Sequence, residues 1–315
     1  MLNQLIMANF AEADLPPEAW ARLKTLANDI LLLQRDSAEF DAALADADGL
    51  VLRLGMGADA PLMDRSRNLR YIGMYGTGYG RIDVAAAAER SITVSNVNDY
   101  ATQSVAELVL GATISLMRDL EAERQRASLG DFTEPAVSGA TLQARTIGII
   151  GLGRIGTRVA QLVTQGIGAK GLYHSRTRKP GLESASLAYA ALPDLVAESD
   201  VVTLHIPATP DTSPLLDSNL VAQMKSGSVL INTSPNEVVD LDAVERRMDD
   251  GSLTYIMDHA DELPAGDAQR LASHPNARVY PPIGYMTVEA DDAKRRILVD
   301  NIENFLSGQP TNVVS

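Results

Sequence analysis

Residues Ile147–Gly156 read Ile-Gly-Ile-Ile-Gly-Leu-Gly-Arg-Ile-Gly. An apolar run enters a G-x-G-x-x-G turn and leaves as an amphipathic segment, which predicts a strand, a tight turn and a helix. In such a unit Gly151 permits the turn, Gly153 lets backbone approach a pyrophosphate, and Gly156 lets helix and strand pack closely. The helix N-terminus then offers unpaired N–H donors to the phosphates. A glycine-rich turn alone can serve structure only. Here strand, turn, helix and second strand all fall where dinucleotide binding needs them.

The rest of the chain alternates in the same way. Leu5–Ala8, Gly49–Leu54, Leu69–Met74 and Ile92–Ser95 read as strands, with helices predicted over Glu18–Ala27, Ala38–Ala45 (capped by Ser37) and Val84–Glu89. Helical spacing of Val105, Leu108, Val109, Ala112, Leu116 and Leu120 predicts one long helix over Thr102–Gln125. Asp131–Ala140 reads as a loop. A second winding follows: strands Thr146–Gly151, Lys170–His174, Val201–His205, Ser228–Asn232, Leu253–Asp258 and Arg278–Tyr280, and helices Ile155–Thr164, Leu192–Glu198 and Glu289–Phe305. The expected class is α/β, with two doubly wound parallel-sheet domains, the central one a Rossmann domain.

The end of the second strand in that domain selects the cofactor. An NAD site places Asp or Glu there to accept the ribose hydroxyls. This chain has Tyr173-His174-Ser175-Arg176-Thr177-Arg178-Lys179, with hydroxyls and cations and no carboxylate. That pattern suits a 2′-phosphate, so NADP (NADPH) is expected ahead of NAD. The alternative is a solvated basic loop.

Composition closes off other functions. The 315-residue chain has no cysteine, which excludes disulfides, thiolate nucleophiles and cysteine-bound metals. Its four histidines (His174, His205, His259, His274) have no helical ligand spacing, so no metal is expected. A formal charge of −14 repels nucleic acid. No run approaches the ~20 apolar residues of a membrane helix, and no membrane association is expected. The absence of cysteine fits a cytoplasmic address.

With these pieces placed, the chain resembles the D-isomer-specific 2-hydroxyacid dehydrogenases over nearly its full length. The resemblance runs through Gly76-Thr77-Gly78-Tyr79-Gly80-Arg81-Ile82-Asp83, Ser104-Val105-Ala106-Glu107, the glycine-rich turn, Leu204-His205-Ile206-Pro207 with Thr209 and Thr212, and Leu230-Ile231-Asn232-Thr233. Tyr173–Lys179 looks most like the glyoxylate/hydroxypyruvate reductase branch, which favours NADPH. The resemblance implies a discontinuous substrate domain (1–97 plus 289–315), a cofactor domain (98–288), and a homodimer built on Thr102–Gln125. By position, the dinucleotide contacts fall on Arg154, Ile155, Ser175, Arg176, Thr177, Ile206, Thr212, Thr233, Ser234 and Asp258, with Asp258 on the nicotinamide amide.

The same resemblance implies a catalytic Arg, Glu and His. The arginine of N-T-x-R-G is Pro235 here, the glutamate is Leu263, and the histidine of T-P-H-I-G is Pro282. None of these can carry charge or a proton, so ordinary 2-oxoacid reduction is not expected. Arg53, near the end of a strand, either grips a substrate anion or forms a surface salt bridge. Tyr285 either protonates a product oxygen or fills space left by the imidazole. Strand alternation should turn His259 away from the face of Asp258. Glu262 is more simply a solvated loop charge, His205 a structural residue, and His274 part of a polar loop. Backbone N–H groups of the Gly76–Gly80 turn, Gly76 and Gly78 foremost, can still hold a substrate anion.

Three functions fit. One is an NADP(H)-dependent oxidoreductase with a remodelled site for a small-molecule substrate: a non-standard carbonyl compound, an imine or an activated alkene. The others are a non-redox enzyme using bound nicotinamide transiently or as scaffold, and a catalytically inactive NADP-binding sensor or partner protein.

Overall fold

The structure is a computed structural model and describes residues 1–135 and 139–314. The chain divides into two compact units, Met1–Tyr100 with Val288–Ser315, and Ala101–Thr287. Of the expected Asp131–Ala140 loop, residues 136–138 lie outside the described residues.

The first unit runs β1 (Leu2–Ala8), α1 (Pro17–Leu26), β2 (Ala27–Leu33), α2 (Ala38–Ala43), β3 (Gly49–Arg53), α3 (Ala60–Asp64), β4 (Tyr71–Tyr75), α4 (Val84–Glu89) and β5 (Thr93–Asn96). Its sheet is parallel, in the order β2-β1-β3-β4-β5. The helix starts follow local chemistry: Pro17 occupies the first turn of α1, and the Ser37, Asp59 and Asp83 side chains accept the N–H groups of Phe40, Leu62 and Ala86. Strand β2 lies outside the sequence expectation. It follows α1 with no intervening turn residue, and Ala27 both closes the helix on the Leu23 carbonyl and opens the strand.

The second unit opens with α5 (Thr102–Met117) and α6 (Leu120–Ser128). The expected single helix over Thr102–Gln125 is therefore broken. The Met117 carbonyl is taken by the Ala140 N–H at 2.8 Å, and Asp119 turns left-handed at φ 50°. Then come β6 (Thr146–Ile150), α7 (Arg154–Gln161), β7 (Lys170–His174), β8 (Leu187–Tyr189), α8 (Leu192–Glu198), β9 (Val201–Leu204), α9 (Ser218–Gln223), β10 (Ser228–Asn232), α10 (Leu241–Asp249), β11 (Leu253–Met257), α11 (Ala265–Ala272) and β12 (Ala277–Val279). These strands form a seven-stranded parallel sheet, β12-β11-β10-β9-β6-β7-β8, whose order reverses between β6 and β9. Beyond Gln161 the helix widens into a π-type turn over Leu162–Gly166, where Thr164 bonds back to the Ala160 carbonyl.

The last helix, α12 (Val288–Leu306), returns to the first unit. Its Leu298, Val299 and Ile302 join Leu2, Leu5, Leu23 and Tyr71 in one buried core. The other face of that sheet packs Ile6, Phe40, Leu52 and Ile72. In the second unit, Ile147, Ile149, Val159 and Ala160 pack with Ala106, Val109 and Ala112 of α5 on one face. Leu172, Leu195, Leu230 and Tyr255 fill the other.

Asp48 ties the start of the first sheet together. Its buried carboxylate accepts the Asn3 and Gln4 N–H groups at 2.9 and 3.0 Å and pairs with Arg70 at 3.2 Å. Asp48→Ala leaves those donors unpaired and should lower unfolding free energy by about 1–3 kcal/mol in a urea titration. An unchanged midpoint would show that water replaces the carboxylate at no cost.

Candidate functional site

The glycine-rich turn joins β6 to α7 at the point where strand order reverses, the place where open parallel sheets bind ligands. Packing demands two of its three glycines. Gly151 has φ +95°, and a Cβ there would stand 2.4 Å from the His205 carbonyl; a Cβ on Gly156 would stand 1.9 Å from the Gly151 carbonyl. A Cβ on Gly153 would meet nothing within 4 Å. Gly153 caps α7 without a side-chain hydrogen bond, so the N–H groups of Arg154, Ile155 and Gly156 open a helix end free of side-chain caps. Protein packing therefore does not by itself require glycine at position 153.

At the end of β7, among the described residues, Arg178 and Lys179 are tied to protein acceptors and Arg176 is not. Arg178 pairs with Glu183 at 2.8 Å through both ends of its fork, holding that carboxyl down at about 2. Lys179 Nζ donates to the Leu152 carbonyl at 2.6 Å. Ser175 Oγ donates to the Thr177 carbonyl, and Arg176 is exposed with no ion pair among the described residues. Glu183, four residues beyond the motif, is the carboxylate that sequence reading did not place there.

The ends of β9 and β10 are bonded to each other. Ser234 Oγ accepts the Ile206 N–H at 2.9 Å, and Thr233 Oγ1 donates to the Leu204 carbonyl at 3.0 Å. His205 lies between Thr203 and Thr233, 3.0 Å from each hydroxyl, and burial pushes its pKa down to about 3. It stays neutral near pH 7, which fits the structural role expected of it. Thr212 closes its own loop through the Pro207 carbonyl at 2.7 Å.

Beyond β11 the structure gathers a polar cluster. Asp258, 2% exposed, accepts the Ile283 and Gly284 N–H groups at 2.9 and 3.1 Å. Burial raises its pKa, and those bonds and His259 oppose the rise. His259 corrects the expectation from strand alternation. The strand has ended, His259 adopts φ 75°, and its ring comes back to 3.7 Å from Asp258 and 3.8 Å from Asp261. It also stacks on Tyr285, with ring centres 5.9 Å apart. Burial and the charges of Asp261, Asp258 and Glu262 all raise the Tyr285 pKa, so the phenol stays protonated.

Glu262 is exposed, as expected of a loop charge, and also reaches the residue after Pro235. It accepts the Asn236 backbone N–H at 3.4 Å and its side-chain Nδ2 at 3.5 Å, and burial raises its pKa. Asn236, 7% exposed, also donates to the His259 carbonyl at 3.2 Å and leaves its Oδ1 without a partner. Sequence reading passed over Asn236; its adjacency to Pro235 was the available signal. Leu263 packs onto the hydrophobic core, and Pro235 precedes the short turn Asn236–Val238. Segments 232–240, 258–264 and 280–287 contain no lysine or arginine.

In the first unit, Arg53 donates to Asp14 at 3.1 and 3.3 Å and to the Asn9 carbonyl at 3.0 Å, with its guanidinium 5.0 Å from the centre of the Phe10 ring. The salt bridge weighed from sequence is thus present. In the Gly76–Gly80 turn, the N–H groups of Thr77, Gly78, Tyr79 and Gly80 meet no protein acceptor among the described residues. A Cβ on Gly76 or Gly78 would press on Leu54 at 3.2 or 3.3 Å. Among the described residues no His, Asp or Glu cluster can hold a metal, and no helix is long and apolar enough to cross a membrane.

The profile of the D-isomer specific 2-hydroxyacid dehydrogenase NAD binding domain matches residues 110–284. The chain is 30% identical over 280 residues to the glyoxylate reductase of Thermococcus litoralis, covering 86% of this chain and 84% of that protein. It is 32% identical over 244 residues to 2-hydroxyacid dehydrogenase homolog 1 of Schizosaccharomyces pombe, covering 73% and 74%. Among solved structures, the TT0316 protein of Thermus thermophilus aligns with a TM-score of 0.85 and 30% identity, over 99% of this chain and 100% of the other. With the phosphate-binding turn, the switch-point sheet and the buried aspartate in place, the chain belongs to the D-isomer-specific 2-hydroxyacid dehydrogenase family, oxidoreductases that bind a nicotinamide dinucleotide.

Proposed function

We propose that the protein is an NADP(H)-dependent reductase with a remodelled site, and that its substrate is an imine in preference to a plain 2-oxoacid. The observation that carries this reading is the cluster around Tyr285: Asp258, Asp261 and Glu262 surround it, and no cation stands on the segments that form it. Reducing a ketone builds negative charge on oxygen, which a cation must stabilise. Reducing a protonated imine discharges a positive centre, and carboxylates stabilise that centre beforehand. The unpaired Asn236 Oδ1 is an acceptor suited to an N–H group.

A nicotinamide dinucleotide, when bound, would supply hydride chemistry. The chain's own residues do the rest. Arg154, Ile155 and Gly156 donate backbone N–H groups to the pyrophosphate, with Gly151 and Gly153 shaping the turn, and Arg176 with Ser175 and Thr177 takes the 2′-phosphate. Ile206, Thr212, Thr233 and Ser234 line the cofactor, and Asp258 receives the nicotinamide amide. Tyr285, kept protonated, donates to the lone pair that hydride addition to carbon leaves on the product amine nitrogen, and His259 positions it by stacking and by linking it to Asp258 and Asp261. In the first unit, Arg53 and the Gly76–Gly78 backbone are suited to an anionic ligand group. A cytoplasmic homodimer fits the exposed Leu120, Leu129 and Phe132, the last two 80% and 82% exposed, which a second copy would cover.

Two outcomes follow. NADPH should bind more tightly than NADH in calorimetry at low salt, with Arg176→Ala removing most of the difference; equal affinities in the unaltered protein would return the basic turn to a solvated loop. NADPH oxidation with methylamine and pyruvate together should exceed that with pyruvate alone. Tyr285→Phe should lower the faster rate by roughly tenfold or more with NADPH affinity unchanged. A rate unmoved by methylamine would contradict the imine reading, and an unaltered Tyr285→Phe rate would leave the phenol a packing group.

A further inference from the structure

Among the described residues no carboxylate forms an ion pair with Lys294. It lies in the second turn of α12, half-buried, with Nζ 4.2 Å from the centre of the Tyr75 ring and 5.4 Å from that of Tyr100. The nearby acids are engaged by arginines. Arg295 holds Asp291 at 2.5 Å and Asp292 at 3.6 Å, and Asp14 pairs with Arg53. Asp291 therefore acts on Lys294 only through space, while burial and the charge of Arg53 lower the lysine's pKa.

The place is as telling as the charge. Arg53 and Tyr75 are register partners that end β3 and β4, and Phe10 follows β1. Phe10 lies under the Arg53 guanidinium and 5.2 Å from the Tyr75 ring, so Arg53, Phe10, Tyr75 and Lys294 form one row. The order of the five-stranded sheet reverses between β1 and β3, so this row stands at the carboxyl ends of strands flanking that switch point. Two cations held apart by aromatic faces, one of them without a carboxylate, are stabilised by an incoming anion.

We propose that Lys294 is the receptor for a small carboxylate in this unit, with Arg53 as the second positive charge and Tyr75 and Tyr100 as its walls. This binding site stands without any hydride transfer.

Calorimetric titration of the full-length protein with malonate at low salt tests the site apart from catalysis. Binding should weaken by roughly tenfold or more in Lys294→Met, the loss of a hydrogen bond to a charged group, while Lys294→Arg stays within a few-fold. Malonate should also shield Lys294, but not the exposed Lys24, from an amine-acylating reagent in the unaltered protein, read by mass spectrometry. That arm requires no variant to fold. No malonate binding, equal binding by Lys294→Met, unshielded Lys294, or inorganic phosphate binding more tightly than malonate would each overturn the assignment. If carboxylate binding holds while methylamine fails to accelerate NADPH oxidation, the site survives and the imine reading falls.

Discussion

Burying a carboxylate is costly unless its oxygens meet donors, and Asp258 meets two, the backbone N–H groups of Ile283 and Gly284. These bonds fasten the segment after β12 to the end of β11. Gly284 has to be glycine, because a Cβ there would stand 2.6 Å from the Asp258 carboxylate. The next residue is Tyr285, so the bonds also fix where the phenol stands. The left-handed turn at His259 then brings an imidazole against the same phenol and back to the same carboxylate. Phenol and imidazole both take their positions from the chain around Asp258.

The two units carry opposite electrostatic characters at the ends of their sheets. The seven-stranded unit concentrates acceptors: Asp258, Asp261, Glu262 and the unpaired Asn236 Oδ1. The five-stranded unit concentrates donors: Arg53, Lys294 and the open N–H groups of the Gly76–Gly80 turn. On the proposed reading the first set suits a cationic nitrogen, and the second, taken by itself, suits a carboxylate. The family's own arginine would conflict with the first of these, and proline at 235 removes that conflict.

Much of the fold was legible because its signals are local. Glycine spacing located the β6–α7 turn, and Pro17 and Ser37 located the starts of α1 and α2. The breaks were not legible, because they depend on distant partners. Ala140 ends α5 by taking the Met117 carbonyl, and β2 exists because β1 offers it an edge. The site divides in the same way. Its cofactor residues sit on the motif itself, whereas Glu183 neutralises Arg178 from outside the motif. His259 reaches Asp258 only through a backbone conformation that strand alternation cannot foresee. Asn236 and Lys294 carry no motif, and only burial and missing partners mark them.

On the proposed reading, Pro235, Leu263 and Pro282 separate this chain from the family's ordinary chemistry. The most direct test restores the three groups together, in a Pro235→Arg, Leu263→Glu, Pro282→His variant, and measures glyoxylate reduction with NADPH. The expected result is a gain of about a hundredfold or more over the unaltered protein, the scale of positioned acid–base and charge assistance. Glyoxylate turnover already above about 1 s⁻¹ in the unaltered protein, the low end for enzymes, would contradict it.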